Sequence, residues 1–187
     1  QRVSLGPSRI LVHAHISEVA PGATRFLDVG CGIGQFAWEL AESRPGSEVV
    51  GVDPSAAMID RARNAFRHPR ATYLHGYVRD VDPGPGFDVV TCMHAFPYIR
   101  DGGAALARIR EVLRPGGRVL IVGANTENAW DRVVLRLVKL TTTPAQYRPV
   151  AEIRRLMREA GFAPGAVRRV ETPFYVASIH LVEGVLA

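Results

Sequence analysis

The sequence predicts an α/β protein, a mostly parallel sheet with helices on both faces. Three observations predict it. Short apolar runs with strand-like composition alternate with helix-like stretches along most of the chain, the signature of repeated strand–helix–strand units. The first run passes through Gly30-Cys31-Gly32-Ile33-Gly34 straight into a helical segment. The second ends on an acid, Asp53, followed by Pro54-Ser55.

Pro7 to Ala20 reads as a helix with Ile10, Leu11, Ala14, Ile16 and Val19 apolar, ending before Pro21-Gly22. His13 and His15 lie two apart, so they cannot share one of its faces. Arg25 to Val29 is the first strand, the glycines form a turn without Cβ atoms, and Gln35 to Glu42 is a helix. Glu48 to Asp53 follows as a strand, and Ser55 suits the start of a helix over Ala56 to Phe66. Ala71 to His75 and Phe87 to Cys92 are further strands, separated by the turn-rich Asp82 to Gly86. Leu106, Ile109, Val112 and Leu113 give helical spacing over Gly103 to Leu113, which stops at Arg114-Pro115-Gly116-Gly117 before a strand Arg118 to Val122. Beyond it, Trp130, Val133, Val134, Leu137 and Val138 repeat at three-four spacing, making Asn128 to Leu140 an amphipathic helix that ends at Thr141-Thr142-Thr143-Pro144. Val150 to Ala160 is a helix capped by Gly161, and Ala166 to Glu171 and Tyr175 to Val182 are two last strands around Thr172-Pro173.

At 187 residues, with 47% hydrophobic and 22% charged content, the chain has the make-up of one ordinary globular domain. No run is long enough and apolar enough to cross a bilayer, the most apolar region being broken by Arg136 and Lys139. No secretory signal is read in it, and since it opens on Gln1, some N-terminal sequence is expected ahead of it. Cys31 and Cys92 are the only cysteines and sit inside motifs, so reduced thiols in the cytoplasm are expected. The net charge of +5 rests almost wholly on arginines spread along the chain, with Lys139 the sole lysine. That dispersion reads as solvated helix faces, and no nucleic-acid partner is expected. No clustered His, Cys or carboxylate spacing suggests a metal.

The strand–glycine loop–helix unit brings main-chain groups close to a ligand, with the first N–H groups of the helix facing the crevice. Asp53 lies where an acid ending the second strand meets a ribose in open α/β nucleotide sites. Gly32-Ile33-Gly34-Gln35-Phe36-Ala37 also satisfies the dinucleotide pattern, so an NAD(P)-dependent oxidoreductase is one alternative, though no Tyr-x-x-x-Lys pair accompanies it. Asp28, inside the strand two residues before the first glycine, suits a cationic ligand group instead.

The blocks Asp28 to Gly34, Val52-Asp53-Pro54-Ser55, Phe87-Asp88-Val89-Val90 and Leu113 to Leu120 stand in the order and spacing of class I S-adenosylmethionine-dependent methyltransferases. From about Arg25 to Val182 the chain resembles that family, with the nearest likeness to its small-molecule, quinone-biosynthesis subgroup. The resemblance implies a single Rossmann-like domain with seven strands, the last antiparallel. Within it, 24–123 would be the cofactor-binding core, 124–148 a substrate lid, and 149–187 a helix and terminal hairpin. It also implies S-adenosylmethionine as cofactor, S-adenosylhomocysteine as product, and a small, lipophilic acceptor. By the family pattern Asp28, Gly30, Gly32 and Gly34 hold the methionine part, Asp53 the ribose, and Met58 covers the adenine, with Cys31 and Pro54 also among the cofactor-binding residues. Cys92 and Met93 would face the methionine amino group and the sulfonium through their backbone.

Two departures stand out. The family often carries Gly-Asp after the third strand, whereas here the pair is Gly76-Tyr77, so either Gly76, Tyr77 and Val78 hold the adenine or Asp80 substitutes. A Glu-His or His-His pair after the fourth strand is replaced by Pro97-Tyr98. His94, then Tyr98 or His13, are the candidate general bases, and a histidine satisfied at a strand end is the other reading of His94. His68, His75 and His180 read as structural. The amphipathic helix Asn128 to Leu140 would close over an acceptor, form a dimer surface, touch a membrane surface, or pack on the core. A methyltransferase-fold protein that binds the cofactor without transferring methyl is the remaining alternative, and the sequence leaves monomer against homodimer open.

Overall fold

Buried on both faces, the strand Arg25–Val29 (β1) sits mid-sheet, its neighbours Glu48–Asp53 (β2) and Phe87–Met93 (β4) both parallel to it. The computed structural model describes residues 2–139, 145–173 and 177–187. Ala71–His75 (β3) pairs with β2, Leu113–Asn125 (β5) with β4, and Phe162–Arg169 (β6) and Ser178–Leu186 (β7) close the far side. The order is β3-β2-β1-β4-β5-β7-β6, with β7 antiparallel to both neighbours. The strand order runs outward from β1 in one direction and from β4 in the other, which places a switch point at the carboxyl ends of β1 and β4, where open α/β sheets hold ligands.

Alternation along β1 decides which helices lie where. Phe26 joins Val49, Val89 and Leu120 under Arg2–Val19 (α1), Gln35–Ser43 (α2) and Ala56–Ala65 (α3). Leu27 and Val29 face the other way, with Val90 and Cys92, toward Gly102–Val112 (α4) and Val150–Glu159 (α6). Each fully buried Phe, Leu or Ile contributes about 1.5–3 kcal/mol, so these two faces dominate the stability of the layer.

Most elements fall where the spacing predicts, and the differences have local causes. α1 begins before Pro7, which lies inside the helix. β5 starts at Leu113, because Phe87 pairs with Leu113 and Val89 with Arg118, so Arg114 to Gly117 bulges out within a continuing strand. β6 begins at Phe162, directly after Gly161 at φ 89, and both hairpin strands are shifted from the predicted limits. The predicted helix stop at Thr141 to Pro144 and the predicted strand start at Tyr175 lie outside the described residues. Ala129–Lys139 (α5) follows β5, and much of its apolar stripe is exposed. Leu135 and Asp131 are buried, whereas Trp130, Val133 and Leu137 are each more than half exposed.

Asp88, at the second position of β4, shows what one buried acid does for the fold. It accepts from the N–H groups of Thr24 (2.6 Å) and Arg25 (2.9 Å) and pairs with Arg114. The start of β1, the body of β4 and the bulge of β5 are thereby fixed to one carboxylate.

Candidate functional site

The glycine loop joins β1 to α2 with Gly30, Gly32 and Gly34 all at positive φ, the region open to glycine at least cost. Space is as restrictive as conformation. A Cβ on Gly30 would lie 2.2 Å from the Cβ of Ala95, and one on Gly34 would lie 2.4 Å from the Tyr73 ring. The loop is therefore pressed against the segment after β4 on one side and against β3 on the other.

Its amides are mostly used inside the protein. Gly30 and Cys31 N–H both donate to Val52 C=O, Gly34 N–H to Cys31 C=O, and Gly32 N–H to Asp53 Oδ2 at 2.9 Å. Asp53 Oδ1 accepts from Ser55 N–H, so this one carboxylate ties the loop to the start of α3. What the unit offers outward is the start of α2. Its N-cap, Gly34, has no side chain, and the first intrahelical bond is Trp38 N–H to Gly34 C=O, leaving the preceding turn of the helix without a cap.

Asp28 lies beneath the loop, 2% exposed, accepting from Thr91 Oγ1 at 2.8 Å. Burial pushes its carboxyl up to about 7, against the Thr91 hydrogen bond and reinforced by Asp53. Such a buried acid is poised to ionise when a cation arrives, which fits an ammonium group. Burial, then Asp28 and Asp53, drive the Cys31 thiol upward, and burial then Asp28 do the same to Cys92, so both stay protonated thiols.

Along the carboxyl edge runs a crevice of about 690 Å³. Of the sequence-predicted residues, Gly30, Asp53, Pro54, Gly76, Tyr77 and Val78 line it, as does Tyr98. Gly32 and Gly34 lie in the loop outside that lining. Cys31 tucks its sulfur against Gly51, where a Cβ would lie 2.9 Å away. Cys92 is fully buried and Met93 half-buried at the end of β4. Met58 stands exposed on the first turn of α3, outside the lining. Asp80 is committed locally, accepting from Tyr77 N–H at 2.8 Å, while the Arg79 guanidinium stacks 4.4 Å over the Tyr77 ring. Tyr77 rather than Asp80 is thus the side chain presented at this wall. The opposite wall, Ile99, Arg100, Ala104 and Arg108, gave no sequence signal. These are the ordinary residues of a loop and helix, and only the packing of α4 brings them here.

His94 follows β4 with φ 55, the only described non-glycine residue at positive φ. Its N–H donates to Val122 C=O at 2.6 Å, and its Nε2 lies 2.9 Å from Ser8 Oγ. Burial lowers its imidazole to about 4, so it is neutral at neutral pH. Tyr98 is 46% exposed, and burial, then the proximity of Tyr98, raises the Tyr147 hydroxyl to about 12. His13 is placed elsewhere. It sits over Phe36 and beside Glu39 in the groove between α1 and α2, which removes it from the crevice and corrects its place among the candidate bases. His75 lies 3.1 Å from Pro54 C=O, His68 3.6 Å from Glu42, and His180 3.3 Å from Asn125.

The residues present fit S-adenosylmethionine: a Cβ-free cradle, an uncapped helix start, a buried acid for an ammonium and an acid at the end of β2. A family model described as a methyltransferase domain matches residues 26–117. The chain is 37% identical over 116 residues to the ubiquinone biosynthesis O-methyltransferase of Bradyrhizobium sp. (strain ORS 278), and 34% identical over 116 residues to that of Rhodopseudomonas palustris (strain TIE-1). Each match covers 61% of this chain and 44% of the relative, so the chain spans less than half the length of these curated relatives. Among solved structures, the magnesium protoporphyrin IX methyltransferase of Synechocystis PCC 6803 with bound S-adenosylhomocysteine superposes with a TM-score of 0.76 at 18% identity, covering 100% of this chain and 86% of that one. The [4+2]-cyclase SpnF superposes at 0.78 with 16% identity, covering 94% and 80%. These structural likenesses establish the fold, and they include a protein named for another reaction. With the domain match over residues 26–117, the strand order and the crevice in agreement, the chain is similar to S-adenosylmethionine-dependent methyltransferases in sequence over about half its length and in fold throughout.

Proposed function

We propose that this chain catalyses methyl transfer to a small, lipophilic acceptor by in-line displacement. The cofactor, S-adenosylmethionine, supplies a methyl group on a sulfonium, which needs no further chemical activation. The protein's contribution is alignment, worth effective molarities on the order of 10⁵ to 10⁸ M. Asp28 would meet the ammonium, the start of α2 the carboxylate and Asp53 the ribose hydroxyls. Gly76, Tyr77 and Val78 would take the base, and the Arg79 stack would hold the Tyr77 ring. His94, neutral and at the end of β4, would take a proton from the acceptor, a contribution of roughly 10²–10⁴ when the acceptor has one to lose. Tyr98, open to the crevice, would orient the acceptor.

The observation that carries this reading is the fixed glycine cradle beside a crevice with Asp53 at its rim and Asp28 beneath. Support for an apolar acceptor comes from α5, whose Trp130, Val133 and Leu137 stand exposed just after the carboxyl end of β5. We assign 124–148 as the lid on that ground, and the chain's site of action as the cytoplasm, where the free thiols of Cys31 and Cys92 persist. No described helix is long and apolar enough to cross a membrane. The dispersed arginines favour a small-molecule acceptor over nucleic acid.

Calorimetry with S-adenosylmethionine, S-adenosylhomocysteine and NADH tests the cofactor, with binding of the first two alone expected. A screen of lipophilic phenols, amines and acids, reading release of S-adenosylhomocysteine, tests the transfer. Tight NADH binding refutes the cofactor assignment, and cofactor binding with no product from any acceptor class favours the non-transferring alternative.

A further inference from the structure

Three residues of α1, Ser8, Val12 and Ile16, follow one another at four-residue spacing and all are fully buried. Val12 and Ile16 pack in the core beneath the helix, as such a stripe demands. Ser8 occupies the next place in that stripe, where an apolar residue would serve packing best and a hydroxyl costs stability unless it is bonded. Among the described residues the one side-chain partner shown for its Oγ is His94 Nε2, 2.9 Å away and 86 residues on.

His94 is held just as firmly from its other side. Its backbone takes a conformation that non-glycine residues rarely adopt and is pinned to Val122 C=O at 2.6 Å, while the next residue, Ala95, abuts the glycine loop at Gly30. For the other ring nitrogen, Nδ1, no partner is shown among the described residues. α1 itself is anchored along its length: Arg9 to Glu39 of α2 at 3.1 Å, His15 to Glu183 of β7 at 3.4 Å, and Glu18 to Arg168 of β6 at 2.6 Å. Ser8 is therefore a fixed point.

We propose that Ser8 is a positioning residue, holding the His94 ring by accepting from Nε2–H, in the turn whose next residue, Ala95, lines the crevice. One neutral tautomer is thereby selected, since a proton on Nε2 leaves Nδ1 as the basic atom. In this arrangement α1 supplies half of a two-residue device whose other half follows β4: Nδ1 would take the acceptor's proton while the acceptor's own lone pair bonds the methyl carbon and the S–CH3 bond breaks, its electron pair staying on the sulfur of S-adenosylhomocysteine. The inference rests on the methyltransferase reading for its chemistry and on the Ser8–His94 geometry for its structure.

Nitrogen-15 NMR of the histidine rings in the wild type, Ser8→Ala and Ser8→Cys tests it, alongside calorimetry with S-adenosylhomocysteine. The expected result is a single Nε2–H tautomer of His94 in the wild type from pH 6 to 8. In Ser8→Ala a mixture of tautomers should appear, while affinity for S-adenosylhomocysteine stays within about twofold. A wild-type proton on Nδ1 overturns the proposal without any variant, and so does a Ser8→Ala spectrum identical to wild type. If the wild type fails to bind S-adenosylhomocysteine, the methyltransferase reading is what fails, and the ring spectra still report on the dyad.

Discussion

Replacing Asp28 by Asn should make the free protein more stable at alkaline pH while weakening its grip on the cofactor. Burial raises this carboxyl from an ordinary 3.8 to about 7 in the folded chain. Between those values the unfolded chain has released the proton and the folded one retains it, so the contribution to stability falls as pH rises. At about 1.36 kcal/mol per unit, the whole effect approaches roughly 4 kcal/mol, of which roughly 2.5 kcal/mol falls between pH 5 and pH 8. His94, lowered to about 4, acts with the opposite sign, its contribution growing as pH rises from 4 toward 6.5. Glu183 is held below the usual carboxylate range by Ala166 N–H, Arg118 and His15 despite its burial, and its stabilisation is lost only in acid. The difference between wild type and Asp28→Asn cancels both. Urea denaturation of the free proteins at pH 5 and pH 8 should show that difference widening by roughly 2–3 kcal/mol in favour of the variant. Parallel stabilities at the two pH values would refute the argument that Asp28 is buried with its proton. In the wild type, affinity for S-adenosylmethionine should rise with pH through 7, and this rise should vanish in the variant.

Four further outcomes follow from the same geometry. Gly30→Ala combines a strained φ with a Cβ in contact with Ala95, so it should cost about 1–3 kcal/mol and lower Tm by roughly 2–12 °C in a thermal melt. Asp88→Ala strips the partner from two main-chain N–H groups and from Arg114, and should cost about 3–5 kcal/mol by urea denaturation, a much larger loss than for Asp88→Asn. His94→Asn should fold, because Asn tolerates positive φ, whereas His94→Val should not, a contrast that circular dichroism reads directly. Leu137→Glu should leave Tm within about 2 °C, because its site is exposed, and raise KM for lipophilic acceptors several-fold; an unchanged KM would remove α5 from the lid.

What the sequence revealed and what it hid divide along physical lines. Strands buried on both faces, such as Val49 to Val52 and Val89 to Cys92, are largely apolar runs, and the glycines and Asp53 punctuate them unmistakably. The α2 and β2 limits therefore agree with the spacing to within a residue. The bulge at Arg114 to Gly117 was not legible, because a Pro-Gly-Gly turn ending a helix and one interrupting a strand have the same composition. For α5, periodicity identified an apolar stripe, but periodicity is silent on whether anything covers it. In the site, residues at strand ends were readable because topology fixes them there. Ser8, Arg79 and Arg108 were not, because their positions depend on how α1, the turn at 78–80 and α4 dock. The place of His13, between α1 and α2, likewise depends on how α1 docks.

The anchoring of α1 has a consequence for how the chain acquires its shape. Glu18 and Arg168 are 150 residues apart, and His15 meets Glu183 across an even longer stretch. During synthesis, α1 emerges long before the strands that receive these contacts, so it docks fully only after β6 and β7 have left the ribosome. Closing so long a loop is slow compared with forming local helices. The half of the dyad carried by α1 is thus completed at the end of folding, and a nascent chain halted before β7 would hold its glycine loop without a seated first helix.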